Sequence, residues 1–147
     1  GRCFYMDTTN VVEKIRITIK EFVSKKGEFS LVMLIPTEAS VIDSSVTLLV
    51  SAPWLDKKSP KQAIDLIVQG LRKHLSKAEF PYITRVTVVH SSDSSVKAIN
   101  SAFIVKEGRV DIMNYNLFGT QIERATLLES HRLQGSKKRL AVSIALK

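Results

Sequence analysis

The sequence has a single cysteine, Cys3, and no apolar run of the length that a membrane helix requires. A lone cysteine allows no intrachain disulfide and no multi-cysteine metal cluster, and it is typical of proteins from a reducing compartment. The longest apolar runs are strand-sized, well below the ~20 residues that cross a bilayer. We therefore expect a cytoplasmic protein that makes no membrane contact.

Signatures of cofactor binding and catalysis are also missing from the sequence. It contains no G-x-G-x-x-G or G-x-x-x-x-G-K-[ST] phosphate loop, no G-x-S-x-G nucleophile motif, and no H-E-x-x-H zinc motif. His74 and His131 have no acidic residue at ligand spacing. These absences predict no cofactor and no metal.

The net charge is +8, but it is spread unevenly. Half of it lies in residues 135–147, which carry Lys137, Lys138, Arg139 and Lys147 and no acid. The rest of the chain is only mildly basic, so the composition does not demand a nucleic-acid-binding face. This basic C-terminal segment has two interpretations, as a contact for nucleic-acid phosphates or as a solvated turn before a last strand.

The stretch 45–90 carries the clearest fold signal, a β-α-β pattern. Apolar residues at 45–51 and 83–89 predict two strands. Between them, Ser59, Pro60 and Gln62 form a strong helix start, because serine and glutamine at this spacing make a capping box and proline suits the first turn. The helix is expected to end near Leu75.

The remaining elements follow from apolar spacing and turn residues. A helix is expected from Asn10 to Gly27, with a strand as the alternative because Ile15, Ile17 and Ile19 alternate with polar residues. Strands are expected at 29–35 and 110–113, and a helix capped by Ser92 or Asp93 is expected to reach about Phe103. Thr120 and Glu123 resemble a second capping box, so a helix is predicted from there to Gly135, followed by a strand at 139–146. Residues 110–130 have an alternative interpretation as a β-hairpin.

This order, α-β-β-α-β-α-β-α-β, predicts a single α/β domain over residues 1–147, with a mixed, mostly parallel sheet of about five strands and helices on both faces. The short connector after residue 35 favours an antiparallel return into strand 45–51. Residues 1–5 are interpreted as a cloning remnant before a natural start at Met6. An uncovered edge at strand 29–35 or 139–146 would invite a homo-oligomer.

Polar residues follow the two central strands where their carboxyl ends should meet, which is where open α/β sheets bind ligands. The predicted site lies on the loops 52–58 and 90–95. Its candidate ligand-binding residues are Ser51, Trp54, Asp56, Lys57, His90, Ser91, Ser92, Asp93 and Ser94.

Each candidate also has a purely structural interpretation. His90 is the weak catalytic candidate, as a general base near neutral pH. Its structural interpretation is a partly exposed histidine whose hydrogen bonds are made with solvent or backbone. The serine and aspartate run at 91–95 could hold an anion at a helix start or only cap that helix. Trp54 could anchor a ligand or a protein partner, or cover the end of the core.

Three functional hypotheses remain. The first is a non-catalytic sensor, adaptor or accessory module that binds a protein partner or a small anionic ligand at loops 52–58 and 90–95. The second is an enzyme that acts on a nucleotide or phosphorylated substrate with His90 as base. The third is nucleic-acid binding through the basic tail.

Overall fold

Four α-helices, a short 3-10 helix (Phe80–Tyr82) and five strands make up the part of the chain that the computed structural model describes, residues 8–37, 45–106 and 108–131. The helices are α1 (Thr8–Lys25), α2 (Pro53–Asp56), α3 (Pro60–His74) and α4 (Ser94–Ala102). The strands are β1 (Leu31–Pro36), β2 (Val46–Ser51), β3 (Ile83–Val88), β4 (Val110–Leu117) and β5 (Thr120–Ser130). The predicted strand 139–146, the basic segment 135–147 and residues 1–5 lie outside the described residues.

Helix α3 begins as its sequence predicts. The Ser59 side chain accepts a hydrogen bond from the Gln62 amide, and the Gln62 side chain accepts one from the Ser59 amide. These two bonds satisfy amide groups that the first helical turn leaves unpaired. Pro60 occupies the first helical position. Because the cap is built from local residues alone, sequence predicts the boundary reliably.

All five strands form one mixed sheet in the order β3-β2-β1-β5-β4. The predicted parallel pair β2–β3 and antiparallel pair β1–β2 are both confirmed. The prediction of a mostly parallel sheet is wrong, since β1–β5 and β4–β5 also pair antiparallel. The expectation that strand 29–35 could form an open edge is wrong too, because β1 lies in the middle of the sheet.

The predicted helix from Thr120 to Gly135 is wrong, and the hairpin interpretation of residues 110–130 is confirmed. The strands turn at Phe118 and Gly119, whose φ angles of 53° and 75° are both positive, as the tightest hairpin turns require. Asn114, with φ of 60°, interrupts the alternation of β4. Opposite it the pairing steps from Met113–Arg124 to Tyr115–Ile122.

That interruption explains why the sequence resembles a helix. Both Ile122 and Ala125 are buried against the same core, although residues three apart normally face opposite sides of a strand. Between these two residues lies Glu123, whose pair with Asn114 is the one missing from an otherwise constant register. An apolar spacing of three is also the spacing of a helix. A helix and this interrupted hairpin therefore show the same local spacing of apolar residues.

The sheet is covered by helices on both faces, as predicted. Alternate residues of β1 face opposite sides, so Val32 and Leu34 pack with α1 and α3 while Leu31 and Met33 pack with α4. The core on the face that α1 and α3 cover includes buried residues of both helices, among them Ile15, Ile19, Ile67 and Leu71. In the described residues no helix is long and apolar enough to cross a membrane.

Helices α1 and α3 are also joined by a cluster of charges around Glu21. Its carboxylate accepts hydrogen bonds from His74 Nε2 at 2.8 Å, Lys73 Nζ at 3.2 Å and Lys25 Nζ at 3.3 Å. These donors, His74 first, lower the pKa of Glu21 from 4.5 to about 2. A carboxylate whose pKa is lowered on folding stabilises the protein above its unfolded pKa.

This cluster predicts a loss of stability in acid. The contribution of Glu21 should be fully present above pH 4.5 and should disappear as the pH falls towards about 2. In Glu21→Gln, we expect a lower stability near neutral pH and a flatter decline between these values, measured by urea denaturation across pH. Glu79, whose pKa Lys14 lowers, leaves some slope in the variant.

Glu13→Gln is the matched control, because Glu13 is exposed on the same helix and lies 3.9 Å from Arg16. Its pH profile should follow that of the unaltered protein. A Glu21→Gln profile that parallels the unaltered protein over the whole acid range would contradict the assignment.

Candidate functional site

The loops that follow β2 and β3 are in direct contact. The Asp56 carboxylate, at the end of α2, accepts a hydrogen bond from the Ser91 amide at 3.0 Å and a second from the Ser91 hydroxyl. The Asp56 side chain is only 14% exposed. Hydrogen bonds to a carboxylate are among the stronger ones in proteins, because the acceptor is charged. Asp56 therefore tethers one loop to the other.

His90 lies on this junction and is held by Ser92. The Ser92 amide donates to His90 Nδ1 at 3.1 Å, and the Ser92 hydroxyl lies 2.8 Å from the same nitrogen. An amide can only donate, so Nδ1 must be the acceptor. In a neutral imidazole the proton then resides on Nε2. The exposed nitrogen of His90 is thus a hydrogen-bond donor.

This tautomer bears on the catalytic hypothesis. A general base needs an unprotonated nitrogen directed at its substrate. In His90 the unprotonated nitrogen is Nδ1, which faces Ser92 and lies 3.7 Å from the Asp56 carboxylate. The His90 side chain is 60% exposed, so Nε2–H can reach a ligand from solvent.

The start of α4 is occupied by its own side chains. Asp93 caps the helix, with its carboxylate accepting from the Ser95 amide at 2.8 Å. The Ser95 hydroxyl accepts from the Phe118 amide at 2.7 Å, which joins the β4–β5 turn to α4. The Ser91 amide is bound to Asp56, so two of the amides near this helix start, those of Ser91 and Ser95, already have acceptors.

A small cleft of about 120 Å³ opens beside His90. Its walls come from the start of α3, the end of β3 and the α2 turn. The lining residues are Leu55, Asp56, Lys58, Pro60, Ala63, Val88, Val89 and His90. At roughly 30 Å³ per water, the cleft holds about four waters, whereas sites for drug-sized ligands measure about 300–1,000 Å³. It therefore suits one small group, and not a whole nucleotide.

Four of the predicted site residues lie apart from this junction. Ser51 is fully buried in β2, with its carbonyl accepting from Ser30. Trp54 packs against Phe22 and Phe29 and donates its indole N–H to the Glu28 carbonyl at 3.2 Å. Lys57, which follows α2, and Ser94, the first residue of α4, are exposed.

Sequence reasoning missed the apolar half of the cleft. The sequence predicts Pro60 only as part of the helix start and gives Ala63 no role, although the first turn of α3 forms one wall. Their signal was present, because Ala63 lies on the apolar face of α3 and the loop before it follows a strand end. The tether from Asp56 to Ser91 leaves no such signal, since both residue types are common in loops.

In the described part of the chain, no group of three or more metal-ligating side chains is close enough to hold a metal ion. The site instead offers a donor, His90 Nε2–H, an exposed cation, Lys58, and a small apolar floor. No family model, curated protein or solved structure matches the chain.

Proposed function

We propose that the protein is a non-catalytic binding module, of the sensor, adaptor or accessory kind. Its cleft between loops 52–58 and 90–95 receives an anionic group, carried by a small ligand or by a protein partner. The single observation that carries the proposal is the hydrogen bond from the Ser92 amide to His90 Nδ1, which leaves a donor facing solvent.

The electrostatics of the cleft support an anionic group. His90 Nε2–H and the Lys58 ammonium are the groups on its rim that can bind negative charge. The negative charge of Asp56 is partly compensated, because both carboxylate oxygens accept hydrogen bonds from Ser91. The apolar residues Leu55, Ala63 and Val88 would contact a short hydrocarbon chain. A short-chain carboxylate combines these two properties.

The proposal predicts saturable binding of butyrate to the full chain. In ¹⁵N–¹H NMR titrations, the amides of Lys58, Ala63, Val89 and His90 should shift together along one binding curve. His90→Asn should weaken binding about tenfold or more, the typical cost of losing one hydrogen bond to a charged group. Asparagine can still accept the Ser92 amide through an Asx-turn, so the loop should stay folded.

Lys77→Ala is the matched control, because this exposed lysine lies beyond the opposite end of α3. Its affinity for butyrate should equal that of the unaltered chain. Two results would contradict the proposal. One is the absence of a saturable shift with butyrate, inorganic phosphate or acetate. The other is turnover of a phosphorylated or nucleotide substrate that His90→Asn abolishes.

A further inference from the structure

Strand β3 ends the sheet and is hydrogen-bonded to one neighbour, β2, within the described residues. The Val89 amide bonds to the Val50 carbonyl at 3.0 Å, so residue 89 directs its backbone groups towards β2. Successive residues of a strand direct these groups to opposite sides. Val86 and Val88 therefore turn their N–H and C=O groups outward, where an added strand could pair with them.

The cleft lies at the carboxyl end of this same strand. Val88, Val89 and His90 form its near wall, and Leu55 and Ala63 form its far wall. An extended segment lying along β3 advances about 3.3 Å per residue and places every second side chain on the same face. One of those side chains would then reach the cleft, whose volume of about 120 Å³ admits a single side chain.

The charges around this edge favour an acidic partner. Arg85 on β3 is exposed, as is Lys58 in the wall of the cleft. The nearby carboxylates are engaged within the chain: Asp56 with Ser91, Asp65 with Lys61, and Asp93 with the Ser95 amide. A second copy of the chain is a poor partner, because pairing through β3 would bring together two chains that each carry +8.

We propose that the outer edge of β3, which no strand of the described residues covers, and the adjoining cleft bind an extended acidic segment of a partner protein by strand addition, an inference that rests on the function proposed for the cleft. The main chain of the segment pairs with Val86 and Val88. One carboxylate side chain enters the cleft and meets Lys58 and His90. Backbone pairing gives affinity in such complexes, and the alternate side chains give selectivity.

The test uses the full chain and a synthetic ten-residue peptide that alternates glutamate and valine. Two further peptides carry N-methyl groups on the odd or on the even residues, so that each blocks one hydrogen-bonding edge. We expect one methylated peptide to bind at least about tenfold more weakly and the other to bind almost normally, because several backbone bonds are lost together. Equal affinities for the two methylated peptides would overturn the proposal.

Amide hydrogen exchange locates the contact. Peptide binding should slow the exchange of the Val86 and Val88 amides, while Thr87, already bonded to β2, should change little. Lys58→Glu should weaken peptide binding about tenfold, and Lys77→Glu should weaken it far less, since charges at an interface rim act over short range in salt. If the peptide slows exchange at Val86 and Val88 equally in the unaltered chain and in Lys58→Glu, the assignment of the carboxylate to the cleft would be overturned.

The two proposals fail in different ways. Saturable butyrate binding without any peptide protection at β3 would overturn strand addition and leave the function of the cleft in place. The absence of both butyrate binding and peptide protection would overturn both proposals. An oligonucleotide that protects Val86 and Val88 more strongly than the peptide would also contradict a peptide partner.

Discussion

Gly70→Ala is expected to destabilise the protein by about 1–3 kcal/mol, the usual cost of forcing extra volume into a packed core. A Cβ at position 70 would lie 2.6 Å from two ring carbons of Phe22 and 3.2 Å from Thr18 Cγ2. These distances show that α3 packs so closely on Phe22 of α1 that an added Cβ requires the ring to shift. Alanine is the better helix former by up to about 1 kcal/mol, so a net loss of stability isolates the clash. Urea denaturation measures it.

Phe22, whose ring the added Cβ would meet, supplies the control. In Phe22→Leu the ring is gone, so adding Gly70→Ala should cost much less than it does in the unaltered chain. A double-mutant cycle should therefore show a coupling energy of about 1 kcal/mol or more between the two positions. Additive effects would contradict the close approach of α1 and α3 at Gly70.

Asp56→Ala is expected to cost about 1.5–3 kcal/mol, because the Ser91 amide and hydroxyl lose a charged acceptor in a half-buried position. Exchange of the Ser91 amide should accelerate, as the loop 90–93 loses its tether to α2. Asp56→Asn keeps one acceptor and should fall between the alanine variant and the unaltered chain. Denaturation and amide exchange by NMR report the two effects separately.

Asp65→Ala is the matched control for this experiment. Asp65 is 53% exposed and pairs with Lys61 at 3.0 Å on the surface of α3. Exposed pairs of this kind contribute about 0–1 kcal/mol, so this variant should stay close to the unaltered chain. If Asp56→Ala were as mild as Asp65→Ala, the two loops would not be held together by the carboxylate.

Sequence predicted the parts of the fold that local chemistry determines. The capping box at Ser59 and Gln62 and the cap at Asp93 satisfy amides within three residues, so their residue types reveal them directly. The hairpin of β4 and β5 could not be predicted in the same way. Its turn uses Phe118 with positive φ, which is uncommon for an aromatic residue, and the Ser95 hydroxyl helps to hold it from another element.

The sheet order escaped prediction for a related reason. Helices that alternate with strands favour parallel pairing, but that rule assumes that each strand is followed by a crossover helix. The hairpin returns β5 beside β1, so the pairs β1–β5 and β4–β5 are antiparallel. No residue in β5 marks its neighbour in advance, because pairing between distant strands depends on the whole core.

The meeting of the loops 52–58 and 90–95 could be predicted from sequence, whereas the contacts between their side chains could not. Parallel pairing of β2 and β3 brings the two loops together, as the alternation of elements implies. The contacts within it depend on side-chain directions that sequence does not encode locally. Asp56 binds Ser91, and Trp54 turns away to cover Phe22.

The protonation site of neutral His90 tests the central claim most directly, since the cleft is proposed to bind and not to catalyse. Long-range ¹H–¹⁵N NMR of the full chain above pH 8 distinguishes the two imidazole nitrogens. The Ser92 hydrogen bond predicts a proton on Nε2 and an unprotonated Nδ1. A proton on Nδ1, leaving Nε2 as an exposed base, would contradict the proposal and favour catalysis.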